Sequence, residues 1–432
     1  MLWTAAGVVT LGFLIALEIA ARHYGLPGPI TNQAKEVIFP PKSGFLLYAG
    51  MALMMVVLTW RQRCIALGAA LGIDLVILVG RWALDIKVTE GHPFGNGALL
   101  VVLGCAVIAV TRRTGQERAL LLKGVGLALL LVAGRKTGDT WLLITSKTHP
   151  TVLDPYVATA DHALGNPSWL AGQIVRASGP VGAHILDYVY VQLAVAAVVV
   201  AVYQLRNVAV ERRFPSHHLV RTFLVVGLLG PAIYMIFPVV GPVFAYSAEG
   251  GHWAAANLWP DTPPPISNPH PIPFDEITPR NCMPSLHTAW ATTIFIHSRK
   301  GPRILRYAGA FWLTATLGAT LGFGYHYGAD LIAGAVFALT IEAALRSLAR
   351  GWDRSGTRLV AHGATVFVAL LLSYRYLPTQ MAAHPWLFGP LLILAMASVI
   401  HHYIRTTRQW EPAVTPARQP EPQPELVRAP LP

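Results

Sequence analysis

The chain is short of charge. Only 12% of its 432 residues are Asp, Glu, Lys or Arg, against 54% hydrophobic residues. With a mean hydropathy of +0.49, this excludes a soluble globular protein of ordinary composition. Cysteine is nearly absent as well. Cys64, Cys105 and Cys282 are too few and too scattered for a disulfide framework or a thiolate metal site. There is no fixed-period repeat and no duplicated half, which argues against the repeat-built architecture of many transporters. The first apolar run, Leu2 to Leu17, lacks a basic leading segment and a small-residue cleavage site. It is expected to stay as a helix rather than be removed as a signal peptide.

What is present is a series of apolar runs separated by short basic punctuation. Candidate membrane spans fall near 2–21, 44–60, 64–80, 97–111, 119–134, 185–205, 219–240, 285–298, 305–324, 328–346, 361–376 and 386–404. A bilayer core takes about 20 apolar residues per helix, and only helices or closed barrels satisfy their backbone in lipid. The expectation is therefore an all-α polytopic bundle of about twelve spans. It divides into accessory helices (1–118), a membrane core (119–348), further accessory helices (349–408) and a disordered Pro-, Glu- and Gln-rich cytoplasmic tail (409–432).

The formal charge of +12 does not indicate nucleic acid, because the basic residues sit in short loops rather than on one polar domain. Arg61 and Arg63, Arg112 to Arg118, Arg206 to Arg221, Arg299 to Arg306, Arg346 to Arg358, and Arg405 with Arg408 mark alternate loops. The positive-inside rule makes these cytoplasmic. Loops 135–184 and 241–284, the second with Glu249, Asp261, Asp275 and Glu276, then lie outside, as in a multi-pass protein of a bacterial cell membrane. The segment 154–170 reads as an interfacial stretch over the outer face, and the proline-rich 260–273 as an extended loop.

Two stretches carry chemistry, and the topology sets both on the outer side. The first, Arg280-Asn281-Cys282-Met283-Pro284-Ser285-Leu286-His287, ends a loop and starts a helix, with Pro and Ser where helix starts favour them. Helix N-termini suit phosphates. Ser285 and His287 would meet such an anion in the first turn, and Arg280 would add a full positive charge. In the second, Gly324-Tyr325-His326-Tyr327-Gly328-Ala329-Asp330, the i,i+4 spacing predicts His326 and Asp330 on one helix face. The aspartate would fix the tautomer and leave the other ring nitrogen as a nucleophile. A plainer account makes His287 a helix cap and His326–Asp330 a polar pair at a helix end. Ionisable groups at membrane depth, however, are costly and usually functional.

These residues resemble the type 2 phosphatidic acid phosphatase superfamily, and more closely its branch of inositol phosphorylceramide synthases. The resemblance rests on Pro284-Ser285-Leu286-His287, on His326-Tyr327 with Asp330, and more weakly on Tyr234, Pro238, Gly241 and Pro242. It spans roughly 120–346 and implies a six-helix core. It further implies His326 as nucleophile, Asp330 as its partner and His287 as general acid, with water or another alcohol resolving the phosphoenzyme and no metal or other cofactor. The partners implied are a lipid phosphate and, for a transferase, a polyol or alcohol acceptor. The chain departs from the superfamily's phosphatases in having no Arg-Pro dipeptide, Ala319 and Thr320 where they carry Ser-Arg, and Leu286 where they carry Gly. The usual phosphate-binding arginines are thus missing, which favours the transferase-like branch. Arg280 is the first candidate to replace them. Arg135 and Lys136, at the outer end of the fifth expected span, come second.

Other polar residues carry no such pattern. His149, His162, His184, His217, His218, His252 and His270 lie in or beside loops without ligand-like pairing, so no metal site is expected. Glu18, Asp74 and Glu342 fall in or near spans with no partner evident from the sequence. The competing functional classes are a membrane transporter or lipid carrier and an inactive scaffold built on the same core.

Overall fold

The computed structural model describes residues 2–41, 44–85, 91–246 and 262–410. Helix accounts for 78% of it. The N-terminal part comprises α1 (Leu2–His23), α2 (Pro29–Ile38), α3 (Gly44–Met55), α4 (Trp60–Ala83) and α5 (Asn96–Arg112). The long α6 (Gly115–Thr148) follows, then a strand β1 (Thr151–Val152) and the helices α7 (Asp154–Asp161), α8 (Pro167–Ala177), α9 (Gly179–Val191) and α10 (Leu193–Leu205). After α11 (Val208–Glu211) and α12 (Leu219–Tyr234) comes the short α13 (Pro242–Tyr246), then β2 (Ile272–Pro273). The chain ends in α14 (Leu286–Ser298), α15 (Arg303–Gly322), α16 (Gly328–Arg350), α17 (Arg354–Tyr376), α18 (Pro378–Ala383) and α19 (Pro385–Trp410).

Among the described residues, five helical stretches are long and apolar enough to cross a membrane: α4, the continuous run Leu193–Glu211, α16, α17 and α19. Helices α3, α5 and α12 are apolar but shorter. The difference from about twelve expected spans has local causes. The 185–205 run is broken at Gln192 into α9 and α10, and α14 has 13 residues, about 20 Å of rise. In contrast, α6 runs through 34 residues, about 50 Å. Arg135 and Lys136 therefore lie inside this helix and not at its end. Glu249, Asp261, His252 and most of the expected disordered tail lie outside the described residues.

The short α14 is the hub. It packs against α10, α12, α15 and α16, while α16 carries α17 and α19 on its other side. Two glycines permit the close approaches. A Cβ on Gly334 of α16 would run into the carbonyl of Ser285, and one on Gly241 (φ +104) into that of Tyr325. Outside the bundle, β1 and β2 pair antiparallel, Thr151 with Pro273 and Val152 with Ile272, clamping the loop before α14 onto the end of α6.

The acids expected to lack partners have them. Asp74 of α4 accepts from the amides of Gly95 (2.8 Å) and Gly97 (2.7 Å) and from Tyr48 (2.7 Å). Glu18 of α1 accepts from Ile30 (3.0 Å) and Thr31 (3.3 Å) at the start of α2. Both carboxylates thus satisfy amides at a helix N-terminus on another element.

Candidate active site

The loop before α14 enters through Cys282, whose amide donates to Val239 O (3.0 Å), and reaches Ser285 by a cis Met283-Pro284 peptide. Ser285 is the N-cap of α14; its Oγ accepts from Thr288 N (3.3 Å). Its own amide donates to Asp330 O (3.1 Å), so the two sequence motifs are joined through backbone. Tyr234 donates to Pro284 O (3.2 Å) from α12.

His326 is not on a helix. It occupies the turn between α15 and α16, with its amide on Thr320 O (3.2 Å) and its carbonyl accepting from Ser168 (2.7 Å). Asp330 is the third residue of α16, and its side chain reaches back over the helix start, accepting from Tyr327 N (2.8 Å). The four-residue spacing therefore works as a capping geometry, not as the helix face expected. The same Oδ2 lies 3.5 Å from His326 Nδ1 and 2.7 Å from Cys282 Sγ. Asp330 Oδ1 is buried with no hydrogen-bond partner. With Nδ1 turned toward Asp330, His326 Nε2 is the nitrogen left to react.

His287, in the first turn of α14, stacks on Tyr190 of α9 with centroids 3.9 Å apart and ring planes at 17°. Its ring centroid is 6.4 Å from that of His326, a gap that one phosphoryl group bridges. His326 and Asp330 are buried, so an ion held between the two imidazoles is shielded from water, where electrostatic stabilisation is strongest.

The candidate anion-binding cations are arranged differently from one another. Arg280 is wholly buried, and its guanidinium donates to His149 O from Nε (3.1 Å) and Nη2 (2.7 Å) and to the carbonyls of Asp275 and Thr278. Most of its donors hold the loop before α14 together, and burial lowers its pKa against the pull of Asp275. Arg135 is exposed and grips both oxygens of Asp139 through Nε (2.7 and 2.9 Å). Lys136 beside it is buried.

Segment 154–170, expected at the membrane interface, is largely buried along α7 and exposed at Gly165 and Leu170. Asp154 and Asp161 at the two ends of α7 are fully buried. Asp154 accepts from Val240 N (3.0 Å), Gly241 N (2.9 Å) and Tyr327 Oη (2.8 Å), and Asp161 from Ala329 N at the start of α16 (2.9 Å). Burial pushes these carboxyls up to about 6 and about 7, against the pull of the amides. They fix the loops that carry the motifs. The sequence signal was available, an acid just before Pro155 and a second about two turns of α7 later, but nothing in it named amides so distant in the chain.

Two groups of side-chain atoms of kinds that can ligate a metal converge among the described residues: Cys282, His326 and Asp330, and His217, His297 and Glu342. The second corrects the expectation that His217 lacks pairing. Glu342 accepts from His217 Nε2 (2.9 Å), His297 Nε2 (3.2 Å) and Thr222 Oγ1 (2.5 Å). Proton placement there is determined by a backbone group. Leu219 N–H must donate to Gln204 Oε1 (3.0 Å), so Gln204 Nε2 donates to His297 Nδ1 (2.7 Å), which leaves the His297 proton on Nε2, facing Glu342. This cluster stands twelve residues along α16 from Asp330, about 18 Å away at 1.5 Å per residue, and is separate from the site described above.

Residues 156–344 match the family model of the PAP2 superfamily, whose members are phosphatases or phosphotransferases. The match covers His287, His326 and Asp330 and supports an enzyme acting on lipid substrates in a membrane. Residues 1–144, with α1 to α5 and most of α6, match a domain of unknown function (DUF5933). Neither the curated proteins nor the solved structures compared give a match.

Proposed function

We propose that this chain is a metal-independent membrane phosphoryl-transfer enzyme that acts on lipid phosphates through a phosphohistidine at His326, with its site open to the extracytoplasmic side. Its phosphotransferase core is built around α6, α10, α12, α14, α15 and α16, with accessory helices bringing the spans to about twelve. The observation that carries this reading is the approach of the His287 and His326 rings in a buried cleft with Asp330 behind the second. His326 Nε2 attacks phosphorus, the P–O bond to the lipid alkoxide breaks, and His287 gives that oxygen its proton. Asp330 stabilises the charge on the phosphorylated ring. In the second half, an incoming hydroxyl loses its proton to His287 and takes the phosphoryl group, which frees His326.

The acceptor decides between lipid phosphatase and phospho-headgroup transferase. The missing phosphatase arginines support the second, of the inositol-phosphate type. Because most Arg280 donors are taken by carbonyls, Arg135, Lys136 and the α14 N-terminus are the groups proposed to meet the phosphate, with Arg280 and Ser285 holding that terminus in place.

Purified protein in nanodiscs, given mixed lipid phosphates with and without a polyol, tests this by product mass spectrometry. His326→Ala is expected to abolish turnover, and wild-type protein to form an acid-labile phosphoenzyme. Turnover unchanged by the substitution overturns the reading. Free phosphate identifies a phosphatase; a new headgroup-bearing lipid identifies a transferase.

A further inference from the structure

Cys282 lies where the histidine and aspartate would meet directly. Its Sγ is 2.7 Å from Asp330 Oδ2, 3.3 Å from His326 Nδ1 and 3.3 Å from Tyr325 O. The direct His326 Nδ1 to Asp330 Oδ2 separation is 3.5 Å, longer than the roughly 3.2 Å limit of ordinary N–H···O bonds. Sulfur and carboxylate oxygen this close share a proton, and a thiol has only one to give. With that proton toward Asp330, the sulfur lone pairs face Nδ1. The side chain has no freedom to leave, since Cys282 is fully buried and its amide is fixed on Val239.

We infer that Cys282 is a positioning residue for the nucleophile: its thiol donates to Asp330 and accepts from His326 Nδ1–H, holding His326 in the tautomer with a bare Nε2. This rests on the reading of His326 as the nucleophile. The S–H bond also draws charge from the Asp330 carboxylate, whose other oxygen has no partner. His287, Asp154, Asp161, Tyr190, Tyr234, Tyr327 and Tyr374 are the other titratable groups facing this centre. None of them hydrogen-bonds to a ring nitrogen of His326, so among the described residues the thiol and Asp330 are the groups on Nδ1.

The test compares Cys282→Ala and Cys282→Ser in the full-length protein, with every rate normalised to the folded fraction. In Cys282→Ala the relay is gone and Asp330 keeps more of its charge. The kcat is expected to fall on the order of 10- to 100-fold, the range for losing the partner behind a ring nitrogen, with KM nearly unchanged. The acidic limb of the pH–rate profile moves to higher pH. Cys282→Ser, with a hydroxyl that donates and accepts, restores most of the rate and returns the limb. Equal losses in both variants with an unmoved limb, or a wild-type rate in the alanine variant, overturn the inference. A wild-type protein that turns over no lipid phosphate instead sinks the functional reading. The thiol is then judged by 15N-histidine NMR: a His326 signal that changes from one tautomer to a mixture in Cys282→Ala supports the relay, and an unchanged signal overturns it.

Discussion

Replacing Glu342 with Gln isolates how much a buried carboxylate holding three donors contributes to this bundle. Glu342 joins three elements: His217 precedes α12, which carries Thr222; His297 ends α14; and Glu342 itself is on α16. The amide keeps the shape but has one acceptor atom. If its NH2 takes the Oε2 place, it faces His297 Nε2–H, which cannot change tautomer because Gln204 donates to the other ring nitrogen. The NH2 therefore takes the Oε1 place and faces His217. That ring moves its proton to Nδ1, which is buried without a partner. One unsatisfied buried donor costs about 1–3 kcal/mol, and loss of the charge-assisted character of the two remaining bonds adds about 1 kcal/mol. The expected destabilisation is about 2–4 kcal/mol, read from thermal unfolding in detergent followed by circular dichroism. Because the cost of Glu342→Gln falls largely on the His217 ring that His217→Ala deletes, the two changes are expected to be non-additive in a double-mutant cycle. Strict additivity, or a Gln variant as stable as the parent, would refute the proton placement argued from Leu219 and Gln204.

Two further outcomes follow from contacts at the site. Gly334→Ala would drive a Cβ into the Ser285 carbonyl, and backbone on both sides leaves little room to adjust. It should cost about 1–3 kcal/mol and most of the turnover, whereas Gly318→Ala, whose Cβ meets only Leu186 at 3.9 Å, should be neutral in both assays. In the loop before α14, burial raises the Asp275 carboxyl, but the amides of Thr278 and Ile277, the Thr278 hydroxyl and the Arg280 charge outweigh it and hold it below its ordinary value. A lowered folded value gives stability that is present above the unfolded value of about 3.9 and is lost as pH falls through the folded one. Protection of the Ile277 and Thr278 amides, measured as exchange relative to the intrinsic rate at each pH, should therefore fall below about pH 4, and Asp275→Asn should show the low protection at neutral pH; protection that does not change with pH would refute this.

The parts of the molecule that the sequence made legible are those with a local signature. Apolar runs became helices, and the Pro284-Ser285 helix start and the His326-to-Asp330 spacing each describe neighbours in the chain. What stayed hidden is non-local pairing. Glu18, Asp74 and Asp161 each end at backbone amides opening a helix on another element. A helix start is satisfied by solvent, by its own cap, as Ser285 does for α14, or by an acid that arrives from elsewhere in the chain, and for the last no spacing rule identifies the acid. Glu342 departs from that pattern. It sits within α16, accepts from side chains only and meets no helix start. Its two histidines carried no local signature either: His217 lies in a basic loop, and His297 stands at the end of α14 beside the basic residues that follow it. Cys282 was overlooked because a lone cysteine has no pattern of its own; only the turn that carries His326 back against the start of α14 gives its sulfur a histidine on one side and a carboxylate on the other.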